Sequence, residues 1–585
     1  MTGLAAWDWA VLAAYLAGVS VLGVALAGRQ NDMADFFRGG EGLPWWAVSM
    51  SLIATTVSAV TFVGVPAIAY NPDGGNMTYL QLGLVAGLIA RVFVAFVLVP
   101  AYFRRRVYSP YDYMGDQLGG GARGVTTALF TLGGVLAQSA RVYLTALVLT
   151  LVLAGPLAWV EGATGVSPLA ASIVAIGVIA VAWTLLGGIA TVVWTDALLF
   201  VVFVAGGVAA LVVIVTQLPG GLGEFVEVGH AYGKFEVFDF RVAFSLTEPY
   251  TLAAAGFAAV VSNVGFYGTD QLLAQRIFCC RSAADAKRAV LASYAGEAVA
   301  ALMLLVGVGL FVFYAAFPER LTGVSAEMVA AENDKVFPVF ILEQMPAGVK
   351  GLVVAGVFAA AISSLTSILA ALAQTTVSAT YLPRRARRLG VAEPTASALA
   401  AYDPAEARRV VVVARGWIVA WGVVLCVAAF AVDRFKDATG VPILDLALGL
   451  ASYVVGGLFA AFLLAWLPVR VNGRGLVWAA PLGVLAVFAC RFHEPWAVAA
   501  CGVGVGLLVV TWAATLSRER LARTAWLLVG GALVMGLAWR GYFVEVDEAG
   551  EAVRVPVAWP WYAPLGAAVS LTFGYLLADR KPLAA

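Results

Sequence analysis

The chain has 585 residues, 62% of them apolar and 12% charged, with a formal net charge of +1 and a mean hydropathy of +0.91. A water-soluble domain is nearer half apolar and a quarter charged, so the composition points to a membrane protein, and the helix-length apolar stretches below make the expected class all-α. Near-neutral charge argues against nucleic acid as a partner, and five cysteines without metal spacing plus two histidines cannot build a zinc site.

A spanning helix needs about 20 mostly apolar residues, and about fifteen stretches qualify. In chain order they lie near 7–28, 45–70, 78–103, 124–155, 165–187, 192–216, 250–275, 290–316, 350–381, 410–432, 443–469, 474–490, 496–516, 524–540 and 558–578. The first lacks a basic start and a small-residue cleavage site, so it is a retained helix and not a signal peptide. The polar gaps are short, and 1–585 is expected to form a single membrane domain.

Two of these stretches are interrupted. The segment 45–70 holds Thr55, Thr56, Ser58 and Thr61, with Gly64 and Pro66 beyond. The segment 250–275 holds Gly256, Ser262, Asn263, Gly265 and Gly268 and runs into TDQLLAQR. In one helix such residues serve close packing. Two interrupted helices at matching places in two five-helix halves are the mark of an inverted-repeat transporter.

Lysine and arginine collect in every second loop: Arg104, Arg105 and Arg106; Arg276, Arg281, Lys287 and Arg288; Arg384, Arg385, Arg387 and Arg388; Arg470 and Arg474; Arg518, Arg520 and Arg523. Intervening loops are mixed or acidic, as in FVEVDEAGE at 543–551. With the basic loops in the cytoplasm, the N-terminus lies outside and the C-terminus inside a cell membrane. That orientation needs an odd number of spans, which fifteen satisfies.

The stretch VFAAAISSLTSIL, 357–369, is rich in hydroxyls. Ser363, Thr366 and Ser367 stand at i, i+3 and i+4 on one helix face, and Ser364 lies about 100° around. Such hydroxyls commonly bond back to the carbonyl four residues earlier. Clustered opposite a broken helix, they could instead join freed carbonyls and replace the water shell of a small hard cation.

The motifs GLPWWAVSMSLIATTVSAVTFVGVPAIAY (42–70), GGIATVVWTDALLF (187–200), GTDQLLAQR (268–276), GVKGLVVAGVFAAAISSLTS (348–367) and ILDLALGLASYVVGGLFAAFLL (443–464) occur in that order. So arranged, and with AWPWYAPLG at 558–566, the chain resembles the sodium/solute symporter family, which includes the sodium/glucose cotransporters. The resemblance covers about 7–470. It implies a five-plus-five inverted-repeat core of leucine-transporter type over 45–470, an extra helix at 7–28 ahead of it, and further helices over 474–585. Those between 474 and 540 look like an addition to shorter members.

The resemblance also implies a sodium ion between the two marked helices. Its ligands would be the carbonyls of Ala54, Val57 and Ala360 with the hydroxyls of Ser363 and Ser364. Asp196, in the WTD motif, would approach Thr366 and Ser367, where some members place a second sodium. Relatives often carry glutamine three residues later, and Leu199 stands there. Otherwise Asp196 is an exposed residue at a helix start. An ionised group inside a membrane must be paired or functional.

Sugar-carrying relatives have an acidic–amide pair where this chain has Val60 and Thr61, and a lysine where it has Glu297. Asn263 and the aromatic gate position, Phe266, are kept. VTFVGVP is closer to the branch that moves sialic acid and monocarboxylates, and Arg141 could be the counter-ion of such an acid. It could equally be structural, paired with Glu297 or reaching to the interface. Ala370 and Ala371 replace an Asn-Ser pair.

The expectation is a monomeric carrier moving a small organic solute (sugar, sialic-acid-like or monocarboxylate) with sodium. Proton coupling and a solute sensor are the alternatives. A membrane enzyme would need a convergent set of acids, bases or metal ligands, and none stands out.

Overall fold

A computed structural model describes residues 4–26, 36, 42–105, 107, 109–241, 244–439, 443–467, 471–515, 517–546 and 552–579. Of the segments named above, 27–28, Arg106, 468–470, 516, 547–551 and 580–585 lie outside the described residues. Within them nearly all structure is helical, and Tyr542–Val546 pairs antiparallel with Ala552–Pro556 as a hairpin. Helices satisfy their own backbone hydrogen bonds, which a bilayer requires.

Among the described residues ten helices are long and apolar enough to cross a membrane, or eleven with the bent pair Trp45–Thr56 and Thr61–Tyr70 counted as one. The remaining expected segments are helical but shorter or interrupted, such as the apolar stretches Ala6–Leu22 and Ser452–Trp466, Tyr562–Leu576, and 254–277, which breaks at Asp270. The expected spans 165–187 and 192–216 meet end to end within Pro168–Gln217, at Gly188, where φ is 59° and ψ −166°. A Cβ at Gly188 would strike the Phe36 backbone, so both conformation and space require glycine here.

Contacts divide the chain into two units. In the first (1–84, 135–239 and 275–447), Val349–Thr376 is the central helix. It packs along Pro168–Gln217, and the N-terminal helix Ala6–Leu26 packs on both. In its apolar window 94% of residues are buried. A helix enclosed on all sides must find partners for its hydroxyls inside the protein.

The 45–70 segment breaks where its hydroxyls cluster. Trp45–Thr56 ends at Val57 (φ −78°, ψ 122°), and Ala59–Tyr70 starts after an extended Ser58 (φ −136°, ψ −179°). Thr61 Oγ1 accepts from the Ser58 N–H at 3.2 Å, one half of a capping box. The second half-helix then packs on Gly296–Ala316, where a Cβ at Gly307 would overlap the Pro66 backbone.

The far end of that half-helix is capped by a lysine. Lys234, 1% exposed, donates from Nζ to the carbonyls of Asn71 at 2.6 Å and Tyr70 at 3.5 Å. It also sits 4.0 Å from the centre of the Phe311 ring. Burial lowers its ammonium to about 8. The folded protein therefore binds this proton less tightly than the unfolded chain, and the group's contribution to stability rises between about pH 8 and 10. Lys234→Met is expected to flatten the rise of the thermal midpoint over that window. Parallel profiles for the two proteins would show that the amine is not desolvated.

In the second unit (85–134, 240–274 and 448–585), Arg474–Arg491 packs against Tyr562–Leu576 and Arg518–Arg540. Gly475 and Gly483 allow backbone contact with the first of these partners. Asp579 accepts from Asn472 Nδ2 at 3.0 Å and Arg474 Nη1 at 3.3 Å, and pairs with Arg523. The Asn472 hydrogen bond and the Arg523 charge hold its carboxyl below the usual range. Arg91, 1% exposed inside its span, donates to the Tyr267 hydroxyl at 2.6 Å and lies 4.2 Å over that ring.

Candidate functional site

The hydroxyl face of Val349–Thr376 meets a buried ion pair. Asp196 and Arg276 are both 0% exposed, with Nη2 and Oδ2 2.9 Å apart. Ser51 Oγ donates to Asp196 Oδ2 at 2.5 Å and accepts from Arg276 Nε at 2.8 Å. Ser363 Oγ donates to Asp196 Oδ1 at 2.5 Å. Arg276 also bonds Ser367 Oγ. Both carboxylate oxygens are thus met by donors, which is what makes a buried charge tolerable.

This arrangement corrects one expectation: Asp196 is not an exposed residue at a helix start. The Arg276 Nη2 that pairs with Asp196 also bonds the Ser367 hydroxyl. Ser367 and Thr366 donate to the Ser363 carbonyl, at 2.6 and 3.0 Å. Thr366 faces a separate cavity of about 20 Å³ lined by Val19, Ser20, Trp183, Leu186, Thr191, Val192 and Thr195. Arg276, counted above among the loop cations that set orientation, is interior. Nothing in the local pattern marks it as the partner of Asp196, 80 residues away.

The expected ion ligands converge more closely. Ala54 and Val57, at the helix break, line one cavity with Ala360 and Ser363. Leu199, Phe200 and Phe203 complete the lining, and the volume of about 10 Å³ is near that of one water-sized sphere. Ser364 is 1% exposed, and its Oγ has no hydrogen-bond partner among the described residues. A buried unpartnered hydroxyl costs about 1–3 kcal/mol, so its retention needs a reason.

The expected solute-binding residues fall in both units. In the first, the Thr61 hydroxyl serves the helix break, and Arg141 is half-buried on Gly120–Val152. Glu297 is half-buried at the start of Gly296–Ala316 and lies against Gly83, where a Cβ would overlap its carboxylate. In the second unit, Asn263 Nδ2 donates to the Ala259 carbonyl at 2.8 Å, and Phe266 stands edge-on to Tyr267 with centroids 5.7 Å apart.

A model of the sodium:solute symporter family matches residues 36–483. The chain is 26% identical over 517 residues to the sodium/sialic acid symporter SiaT of Proteus mirabilis, covering 88% of this chain and 95% of that protein. It is 27% identical to the sodium/glucose cotransporter of Vibrio parahaemolyticus over 63% of this chain and 67% of that one. Its fold is similar to that of a solved sodium-coupled sialic acid symporter in a substrate-bound outward-open state. That likeness has a TM-score of 0.70 at 21% identity and covers 99% of this chain and 100% of that one.

Proposed function

The chain belongs to the sodium:solute symporter family, and from that membership we propose a carrier that brings one small organic acid into the cell with sodium. That it is a multi-pass membrane transporter and not an enzyme, with sodium as the coupling ion, follows from the family and its relatives. The finer reading has fifteen spans, a five-plus-five inverted-repeat core, the N-terminus outside and the C-terminus in the cytoplasm. It takes 1–585 as one transport domain acting as a monomer.

The single observation behind the ion site is the cavity that Ala54, Val57, Ala360 and Ser363 share; Ser364, next in sequence, is not in its lining, and its hydroxyl has no partner among the described residues. A sodium there would take carbonyls from the helix break and hydroxyls from the facing helix, without a fixed charge to trap it. It would brace Trp45–Thr56 against Val349–Thr376 in one state of the transport cycle. Coupling is then a difference in ligand affinity between two states. The membrane potential adds about 2.3 kcal/mol per charge per 100 mV. A second sodium at Asp196, Thr366 and Ser367 would have to displace the Arg276 guanidinium, which favours one ion per cycle.

For the solute, an acid is supported by Arg141 and by the sialic acid carrier among the relatives. Thr61, Asn263, Phe266 and Glu297 complete the proposed binding residues, with Glu297 taking hydroxyl or amine donors. Uptake of labelled sugar acids, monocarboxylates and neutral sugars into proteoliposomes should require an inward sodium gradient and favour an acid. Glu297→Gln should raise the half-saturating solute concentration and leave that of sodium in place. Equal uptake with and without sodium, across the panel, overturns the reading.

A further inference from the structure

A helix start leaves its first N–H groups without partners, and the usual remedy is the side chain of the N-cap residue. The hydroxyl-bearing helix Val349–Thr376 has Gly348 there, with φ 85° and no side chain to offer. The cap comes from elsewhere. Asp8 of the N-terminal helix, 0% exposed, accepts through Oδ1 from the Gly348 N–H at 2.7 Å and the Gly351 N–H at 2.8 Å. Its Oδ2 accepts from the Ala5 N–H at 2.9 Å.

One carboxylate thus bonds the two N–H groups that a capping box would satisfy with two side chains. Its charge also lies at the positive end of the helix dipole. The approach depends on Gly351, where a Cβ would collide with the Asp8 backbone. Further along, Val19 packs with Ala359 and Leu199, next in sequence to Ala360 and one turn before Ser363. The N-terminal helix therefore touches Val349–Thr376 at its first turn and again beside the proposed ion ligands.

We propose that Asp8 is a positioning residue for the sodium site, the cap by which the N-terminal helix fixes the height and rotation of Val349–Thr376. This rests on the sodium reading above. Ligand oxygens must be held within about 0.5 Å of their working geometry, and a helix moves nearly as a rod. A slip at Gly348 therefore reaches Ala360, Ser363 and Ser364.

The test compares Asp8→Ala, Asp8→Asn and Ser364→Ala in proteoliposomes, with uptake measured against sodium concentration at saturating solute. Asp8→Ala should raise half-saturating sodium about five- to tenfold, with the maximal rate recovered at high sodium. Asp8→Asn keeps an Oδ1 acceptor and should stay within about twofold of the parent. If Asp8→Ala does not fold, Asp8→Ser is read in its place: its oxygen sits one bond short of the Gly348 and Gly351 N–H groups that Oδ1 reaches, so half-saturating sodium should rise above that of Asp8→Asn, and an equal value overturns the proposal. Unchanged half-saturating sodium in Asp8→Ala, or an Asn variant as impaired as the Ala variant, overturns the proposal. Should Ser364→Ala shift sodium dependence while Asp8→Ala does not, the positioning role alone fails. Should neither shift it, the sodium site fails with it.

Discussion

Arg276→Ala is expected to abolish sodium-driven uptake and to destabilise the protein by about 3–5 kcal/mol, the usual cost of stranding one partner of a buried ion pair. Asp196 and Arg276 are both fully buried. Without the guanidinium, the carboxylate keeps Ser51 and Ser363 as donors but loses its counter-charge. Ser51 and Ser367 lose a donor as well. Asp196→Asn alone should also be harmful, because it leaves Arg276 charged and unpaired. The double variant Asp196→Asn with Arg276→Gln removes both charges and should be more stable than Arg276→Gln alone, the single variant that closes the cycle with Asp196→Asn. Thermal unfolding in detergent measures the coupling between the two positions. Additive losses in the double variant would mean that the two groups do not act as a pair. If Asp196 held a second sodium, Asp196→Asn would also bring the Hill coefficient for sodium down toward one.

The ion pair shows where sequence reading reaches and where it stops. Local features were legible. The hydroxyls at 55–61 announced a break, and Val57 and Ser58 supply it with extended backbone. The one-face spacing of Ser363 and Ser367 placed them on the helix surface that meets Asp196 and Arg276. Both inferences rest on helical period and on backbone chemistry within one turn. Partner choice between helices was not legible. Arg276, beside a loop, looks like any orienting cation, and Asp8 looks like a polar residue at a membrane edge. Which apolar helix lies against which is decided by packing, and no periodicity in one segment encodes its neighbour. The Thr61 hydroxyl, proposed above for the solute, also accepts from the Ser58 N–H at the break, a local contact that leaves its proton to donate.

Ser364→Ala should separate the proposed sodium contact from ordinary stability, because the two effects have opposite signs. Ser363 is a poor probe for this purpose. It donates to Asp196, so its removal disturbs the ion pair whether or not an ion binds. Ser364 has no partner to lose among the described residues. In sodium-free buffer its replacement removes a buried unsatisfied hydroxyl, and the protein should become more stable by about 1 kcal/mol or more. In high sodium the parent gains stability from the bound ion in proportion to the logarithm of its concentration, and the variant should gain less. A ligand oxygen contributing about 1.5 kcal/mol corresponds to roughly a tenfold rise in half-saturating sodium. The melting curves of the two proteins, followed against sodium at constant ionic strength with a larger monovalent cation, should therefore converge or cross. Parallel curves over the whole range would leave the Ser364 hydroxyl without an ion, and the cavity at the helix break would lose its claim as the coupling site.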